Sequence, residues 1–209
     1  MKGIIFDLDG VLIHTDELHY RAWKTIADKI GAPFDRGRNN LLRGVSRMES
    51  LEIILQKAPK SYTQEEKVAL AEEKNSIYRE LLKTLKRTDV AEEVRTSLSV
   101  MKEKGYKLAI GSSSKNARFI LEQVELIDEF DAISDGNNIT NSKPDPEVFI
   151  KAAEYLALAP EDCLVVEDAA AGIAAAKAGN FAAAGIGSAA SDSRADYALT
   201  TFAELLNII

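Results

Sequence analysis

An α/β fold built on a parallel sheet, with a helical block inserted after the first strand, is what the sequence predicts. Three observations carry this. Short apolar runs alternate with helical patterns along most of the chain. Most of these runs are apolar throughout and bounded by Gly, Asp or Ser, as strands covered on both faces should be. And the stretch from about Thr15 to Arg87 holds no convincing strand, which is too long a gap for an ordinary crossover.

Taken in order, the expected strands are Gly3–Phe6, Lys107–Ile110, Ala132–Ser134, Leu164–Val166 and Phe181–Gly185. The inserted block reads as three or four helices. One spans Asp16 to Ile30 and stops at Gly31. The next opens at Ser46 with Glu49 three residues on, and another at Thr63 with Glu66 three on, both at capping-box spacing; the latter continues to about Leu85. Beyond the insert, helices are expected from Val90 to Lys104 after Asp89, from Ser113-Ser114 to about Val124, and from Pro144-Asp145-Pro146 to about Leu156. Two more should run from Ala170 to Ala178, ending at Gly179, and from Phe202 to Ile208. The division that follows is a core of residues 1–14 and 88–209 and a helical cap of residues 15–87.

The 209 residues are 46% hydrophobic and 28% charged, ordinary for a chain that builds a core. A formal net charge of −7 argues against a general binder of nucleic acid or anionic membranes, both of which need a basic face. Cys163 is the single cysteine, so no intrachain disulfide can form, and its apolar neighbours mark it as a small buried hydrophobe. No apolar run approaches the ~18 residues of a membrane span, and the amino terminus lacks a signal-peptide pattern. A cytoplasmic, soluble protein is expected.

Four polar segments each follow an expected strand, where open α/β sheets place their sites. Asp7 and Asp9 leave the first strand at i and i+2, with Gly10 permitting a tight turn; such carboxylates serve as nucleophile and acid/base neighbour or as metal ligands. Taken alone they read rather as a solvated acidic turn, since Asp favours turns. Ser112-Ser113-Ser114-Lys115-Asn116 offers hydroxyls, amides and an ammonium suited to a phosphate, or else an ordinary helix cap. Lys143 precedes a proline-fixed helix start and could be a point charge for a phosphoryl oxygen or merely an exposed lysine. Glu167 and Asp168 end an apolar strand, where carboxylates are costly unless a metal or hydrogen bonds receive them. With Asp7 they form an oxygen-rich set of the kind Mg²⁺ takes. Each signal is weak alone; their order is specific.

In that order the segments resemble the four motifs of the haloacid dehalogenase superfamily, over nearly the whole chain and including the helical cap. The resemblance implies a Rossmann-like core in which Asp7 attacks phosphorus to form an aspartyl-phosphate. It further implies that Asp9 is the general acid/base and lends a backbone carbonyl to one Mg²⁺, that Glu167 and Asp168 hold the metal with Asp7, and that Lys143 steadies the nucleophile.

The cap narrows the resemblance. Thr15, His19 and Trp23 fall at i, i+4, i+8 on the first cap helix. With Gly44-Val45-Ser46-Arg47 and Lys74-Asn75 they look like the cap of the β-phosphoglucomutase family, and Ser112 to Asn116 like its phosphate segment. This implies a proximal phosphate site at Asp7, Ser112, the Ser113 amide and Lys143, and a distal one at Arg47, Ser114, Lys115 and Asn116. It implies interconversion of β-glucose 1-phosphate and glucose 6-phosphate, primed by β-glucose 1,6-bisphosphate, in a monomer whose partners are small sugar phosphates. His19 is expected to link Asp9 to substrate, and Trp23 to be either cap core or sugar platform. His14 and Ser113 depart from the family pattern, which commonly has Asp and a small apolar residue there. A sugar-phosphate phosphatase of the same fold is the alternative; a phospho-receiver has the wrong motif order, and a dehalogenase needs no acidic pair.

Overall fold

The computed structural model describes residues 1–42 and 45–209. Among the described residues, six strands form one all-parallel sheet: β1 (Gly3–Phe6), β2 (Lys107–Gly111), β3 (Ala132–Ser134), β4 (Cys163–Glu167), β5 (Ala182–Ile186) and β6 (Tyr197–Leu199). Their order is β3-β2-β1-β4-β5-β6, so the chain reverses its direction of growth at β1. Phe6 pairs with Ile110 on one side and Val166 on the other.

Alternation along the strands divides the core in two. Ile4 and Phe6 pack with Leu108, Ile110, Leu164 and Val166 on one face. Ile5 faces the other way, against Val165 and Phe149, with Cys163 buried beside them. Both faces are covered, which is why these strands read as unbroken apolar runs.

The helices are α1 (Asp16–Lys29), α2 (Arg36–Asn40), α3 (Arg47–Leu55), α4 (Gln64–Leu82), α5 (Glu92–Glu103), α6 (Ala117–Gln123), α7 (Glu147–Leu156) and α8 (Ala170–Ala178). Those from α1 to α4 lie between β1 and β2 in the chain and are called the cap below; a hydrophobic cluster around Trp23, Ile26, Phe34, Leu51 and Ile54 lies among them. Both capping boxes close: Ser46 Oγ accepts from the Glu49 amide and Glu49 accepts from the Ser46 amide, with the same exchange between Thr63 and Glu66. Together they fix where α3 and α4 begin.

Four readings from the sequence need correction. The α5 helix starts at Glu92, because Asp89 caps a preceding 3₁₀ turn over Arg87–Asp89 by accepting from the Lys86 amide at 2.7 Å. The α6 helix starts at Ala117, after the Ser-rich segment is spent on turns. The final segment, Phe202–Asn207, is 3₁₀ rather than α. Strand β6 was not expected. It is only three residues long and is held at the sheet edge by Asp196, whose carboxylate accepts from the Ala183 amide at 2.8 Å and pairs with Lys177 at 2.7 Å.

Candidate active site

The carboxyl ends of β1 and β4 lie side by side where the strand order reverses, and the Asp7 amide donates to the Val166 carbonyl at 2.9 Å. That register sets Asp7 beside Glu167. Lys143, reaching in from the loop before α7, bonds Asp7 Oδ1 at 2.6 Å and Glu167 Oε1 at 2.5 Å, with all three side chains buried. Its ammonium also lies 4.7 Å from the Phe149 ring centroid. Burial alone would lower the Lys143 pKa, but Asp7 and Glu167 outweigh it and hold the group above its ordinary value. Burial raises Glu167 in spite of that lysine.

Carboxylate oxygens of Asp7, Glu167 and Asp168 lie within 4.8 Å of one another. Three carboxylates, each able to offer an oxygen to one point, make an all-oxygen set that fits a hard divalent cation such as Mg²⁺. Two glycines make the gathering possible. A Cβ at Gly10, where φ is +90°, would collide with the Asp168 carboxylate, and one at Gly172 would collide with Glu167. The Asp9 side chain is not in this set. It turns to Thr15, whose hydroxyl donates to Asp9 Oδ1. Enclosure beneath the cap pushes the Asp9 carboxyl up to about 7; the Asp7 charge adds to the rise and Thr15 opposes it.

A cavity of about 470 Å³ opens between this cluster and the cap. On the core side Ser112, Ser113, Ser114, Lys115 and Asn116 line it with Lys143, Glu167 and Asp168; on the cap side it meets His19, Trp23, Val45, Ser46, Arg47 and Lys74. Ser112 Oγ accepts from the Ser114 amide and Ser114 Oγ from the Asn116 amide, both at 3.2 Å, so the segment is wound tightly on itself. Ser113 Oγ is buried and has no protein partner among the described residues. The Ser46 hydroxyl is engaged in the α3 capping box. Burial lowers the Arg47 pKa while Glu72 opposes the fall. Gly44 lies outside the described residues.

Some expected site residues take other places. Thr15, expected to touch substrate, is fully buried behind Asp9 and does not line the cavity; its Oγ1 also accepts from the Tyr78 hydroxyl at 3.1 Å. His19 stacks on Tyr78 with ring centroids 4.0 Å apart, and its Nδ1 meets Lys74 Nζ at 2.9 Å, so it is Thr15 and not His19 that bonds Asp9. Trp23 is both wall and cap core, being 2% exposed. The ammonium of Lys74 lies 4.9 Å from the Trp23 ring centroid and 4.4 Å from that of Tyr78.

Tyr78, Asn39, Met48 and Glu72 also line the cavity and were not anticipated. For Tyr78 a signal existed. Ala71, Lys74, Asn75 and Tyr78 all line the wall and stand at i, i+3, i+4 and i+7 of α4, one helical face.

Comparison with known proteins matches the same frame. The family model for haloacid dehalogenase-like hydrolases matches residues 1–180. A β-phosphoglucomutase of Bacillus subtilis (strain 168) is 44% identical over 189 residues, covering 90% of this chain and 84% of that protein. A phosphorylated carbohydrates phosphatase of Thermotoga maritima is 33% identical over 180 residues, covering 85% and 81%. The crystal structure of a β-phosphoglucomutase from Clostridium difficile superposes with a TM-score of 0.92 at 37% identity, over 98% of this chain and 93% of that one.

Proposed function

The chain belongs to the haloacid dehalogenase-like hydrolase family, and from that premise we propose that it is a β-phosphoglucomutase, interconverting β-D-glucose 1-phosphate and glucose 6-phosphate. One observation carries the reading: a single cavity is lined by the Asp7–Lys143–Glu167 cluster, by the cap's Arg47 and by the Ser114-Lys115-Asn116 segment. A mutase needs two anion sites at once, because the bisphosphate intermediate must rebind turned end for end. Two relatives that share this frame carry the mutase name.

In this reading residues 15–87 are the cap and residues 1–14 with 88–209 the catalytic core. Asp7 attacks the phosphorus of β-glucose 1,6-bisphosphate, forming the aspartyl-phosphate and making the chain a phosphoprotein. Asp9, titrating about 7, gives its proton to the departing sugar oxygen, and Thr15 holds it there. In the return half-reaction the hydroxyl of a new sugar monophosphate attacks the phosphoryl group while Asp9 takes that hydroxyl's proton. Lys143 offsets charge on Asp7 and on the phosphoryl oxygens. Asp7, Glu167, Asp168 and the Asp9 carbonyl would hold Mg²⁺, which when bound supplies further charge neutralisation to the phosphoryl group. Ser112 and the Ser113 amide bind the phosphoryl group in transit. Arg47, Ser114, Lys115 and Asn116 grip the other phosphate, and His19, Trp23, Val45, Ser46 and Lys74 surround the sugar. The enzyme is taken to be a cytoplasmic monomer acting on small sugar phosphates.

A phosphatase is the second reading, favoured by the Thermotoga relative; water would then attack the aspartyl-phosphate. The test is incubation with β-glucose 1-phosphate, Mg²⁺ and a trace of β-glucose 1,6-bisphosphate, reading glucose 6-phosphate and free phosphate together. Isomerisation with little phosphate release is expected, and Asp7→Asn should abolish it along with the phospho-protein seen by mass spectrometry. Fast phosphate release without isomerisation would overturn the mutase reading.

A further inference from the structure

Arg79 stands one helical turn beyond Asn75 on α4 and does not line the cavity. It reaches from the cap to the core. Its Nη1 donates to Asn116 Oδ1 at 3.2 Å, and its guanidinium carbon lies 4.5 Å from the Phe119 ring centroid. Asn116 in turn donates from Nδ2 to Asn75 Oδ1 at 2.9 Å, and it is 5% exposed. Asn75 and Asn116 both line the cavity, so the amide sits between a cation behind it and the cavity wall in front.

The two ends of a side-chain amide are nearly the same shape and opposite in chemistry. A guanidinium has five N–H donors and no acceptor. Arg79 therefore selects one orientation of Asn116, with Oδ1 turned toward the guanidinium and the NH₂ group toward Asn75. In that orientation Asn116 is a donor to an anion; flipped, it would offer an anion a carbonyl oxygen. We infer that Arg79 is a positioning residue that fixes the Asn116 amide in its anion-donating orientation. Because Arg79 and Asn75 belong to the cap and Asn116 to the core, the contact exists only while the cap is docked. The inference rests on the distal phosphate site of the proposed function and assigns it a residue that need not touch the substrate.

The test compares Arg79→Met, which keeps a stem over Phe119 and removes the donors, with Arg79→Lys, which restores a donor-only group. In the ligand-free protein, Arg79→Met should move the Asn116 side-chain NH₂ resonances in a ¹H–¹⁵N spectrum. With β-glucose 1-phosphate it should raise KM about tenfold, the loss of one oriented charge-assisted contact, and leave kcat within about twofold. Arg79→Lys should recover most of the KM. Since Arg79 is exposed on α4, both variants should melt within a few degrees of wild type. Unmoved Asn116 resonances, or a wild-type KM in Arg79→Met, would overturn the inference. If the wild-type protein turned over no sugar phosphate, the proposed function would fail. The ligand-free resonances and a titration with inorganic phosphate would then still decide the role of Arg79: weaker phosphate binding with moved resonances upholds it, and unchanged binding ends it.

Discussion

Lys74 is 3% exposed, and its described neighbours are the Nδ1 of His19 and the ring faces of Trp23 and Tyr78. Burial is the main force lowering its pKa, to about 7 from an ordinary 10.5; the nearby Arg47 charge adds to the fall and Asp9 opposes it. The sign of the consequence follows. Between about pH 7 and 10.5 the unfolded chain keeps this proton and the folded chain does not, so stability should rise with pH across that window. At ~1.4 kcal/mol per unit the gain amounts to a few kcal/mol at most. Denaturant midpoints measured at pH 7, 8.3 and 9.5 should climb more steeply in wild type than in Lys74→Met. Parallel slopes would show that the ammonium is not desolvated. At this scale the sequence named Lys74, His19 and Trp23 through helical spacing, but not their pairing. Trp23 comes from α1 and Tyr78 from α4, and only packing of the two helices lays both rings against one ammonium. The same packing draws Thr15 to Asp9 and turns His19 away to Lys74.

Helix α8 shows how an element can be tuned against its own propensity. Six of its nine residues are Ala, yet Gly172 interrupts them, and glycine inside a helix costs ~1 kcal/mol relative to alanine. By propensity alone Gly172→Ala should stabilise. The structure reverses the sign, because the added Cβ would collide with the Glu167 carboxylate. A loss of ~1–3 kcal/mol is expected from this overpacking, along with a several-fold higher Mg²⁺ concentration for half-maximal activity. Thermal melts and Mg²⁺ titrations check both, and a more stable variant would show that Glu167 moves aside freely. Boundaries were legible wherever a local pair sets them: Ser46 with Glu49, Thr63 with Glu66, and glycines 31, 105 and 179 after helices. They were misread where a capping side chain had two turns to choose between, as Asp89 did, and where a segment owes its conformation to neighbours, as β6 does.

Across the whole molecule, the cavity exists only because cap and core face one another, and Arg47 on α3 lies far in sequence from Ser114 to Asn116. With Arg47 in the proposed distal site, Arg47→Ala should divide the two halves of the chemistry. Phosphorylation of Asp7 by a small donor such as acetyl phosphate should persist, while kcat/KM for β-glucose 1-phosphate falls about a hundredfold, equivalent to ~2–3 kcal/mol of lost charge-assisted contact. Stopped-flow phosphorylation and steady-state assays would read the two separately, and intact sugar turnover would remove Arg47 from the site.

The amino-acid order alone determined the fold class and the sequence of polar segments, because strand and helix periodicities, caps and glycines act over a few residues and leave a local record. Tertiary structure decided which side chains meet: Lys143 between Asp7 and Glu167, Thr15 behind Asp9, Lys74 among His19, Trp23 and Tyr78, and Arg79 on Asn116. Those meetings depend on strand register and on the angle at which cap helices lie over the sheet. Both arise from burying apolar faces between segments distant in the chain, for which no single stretch carries the pattern.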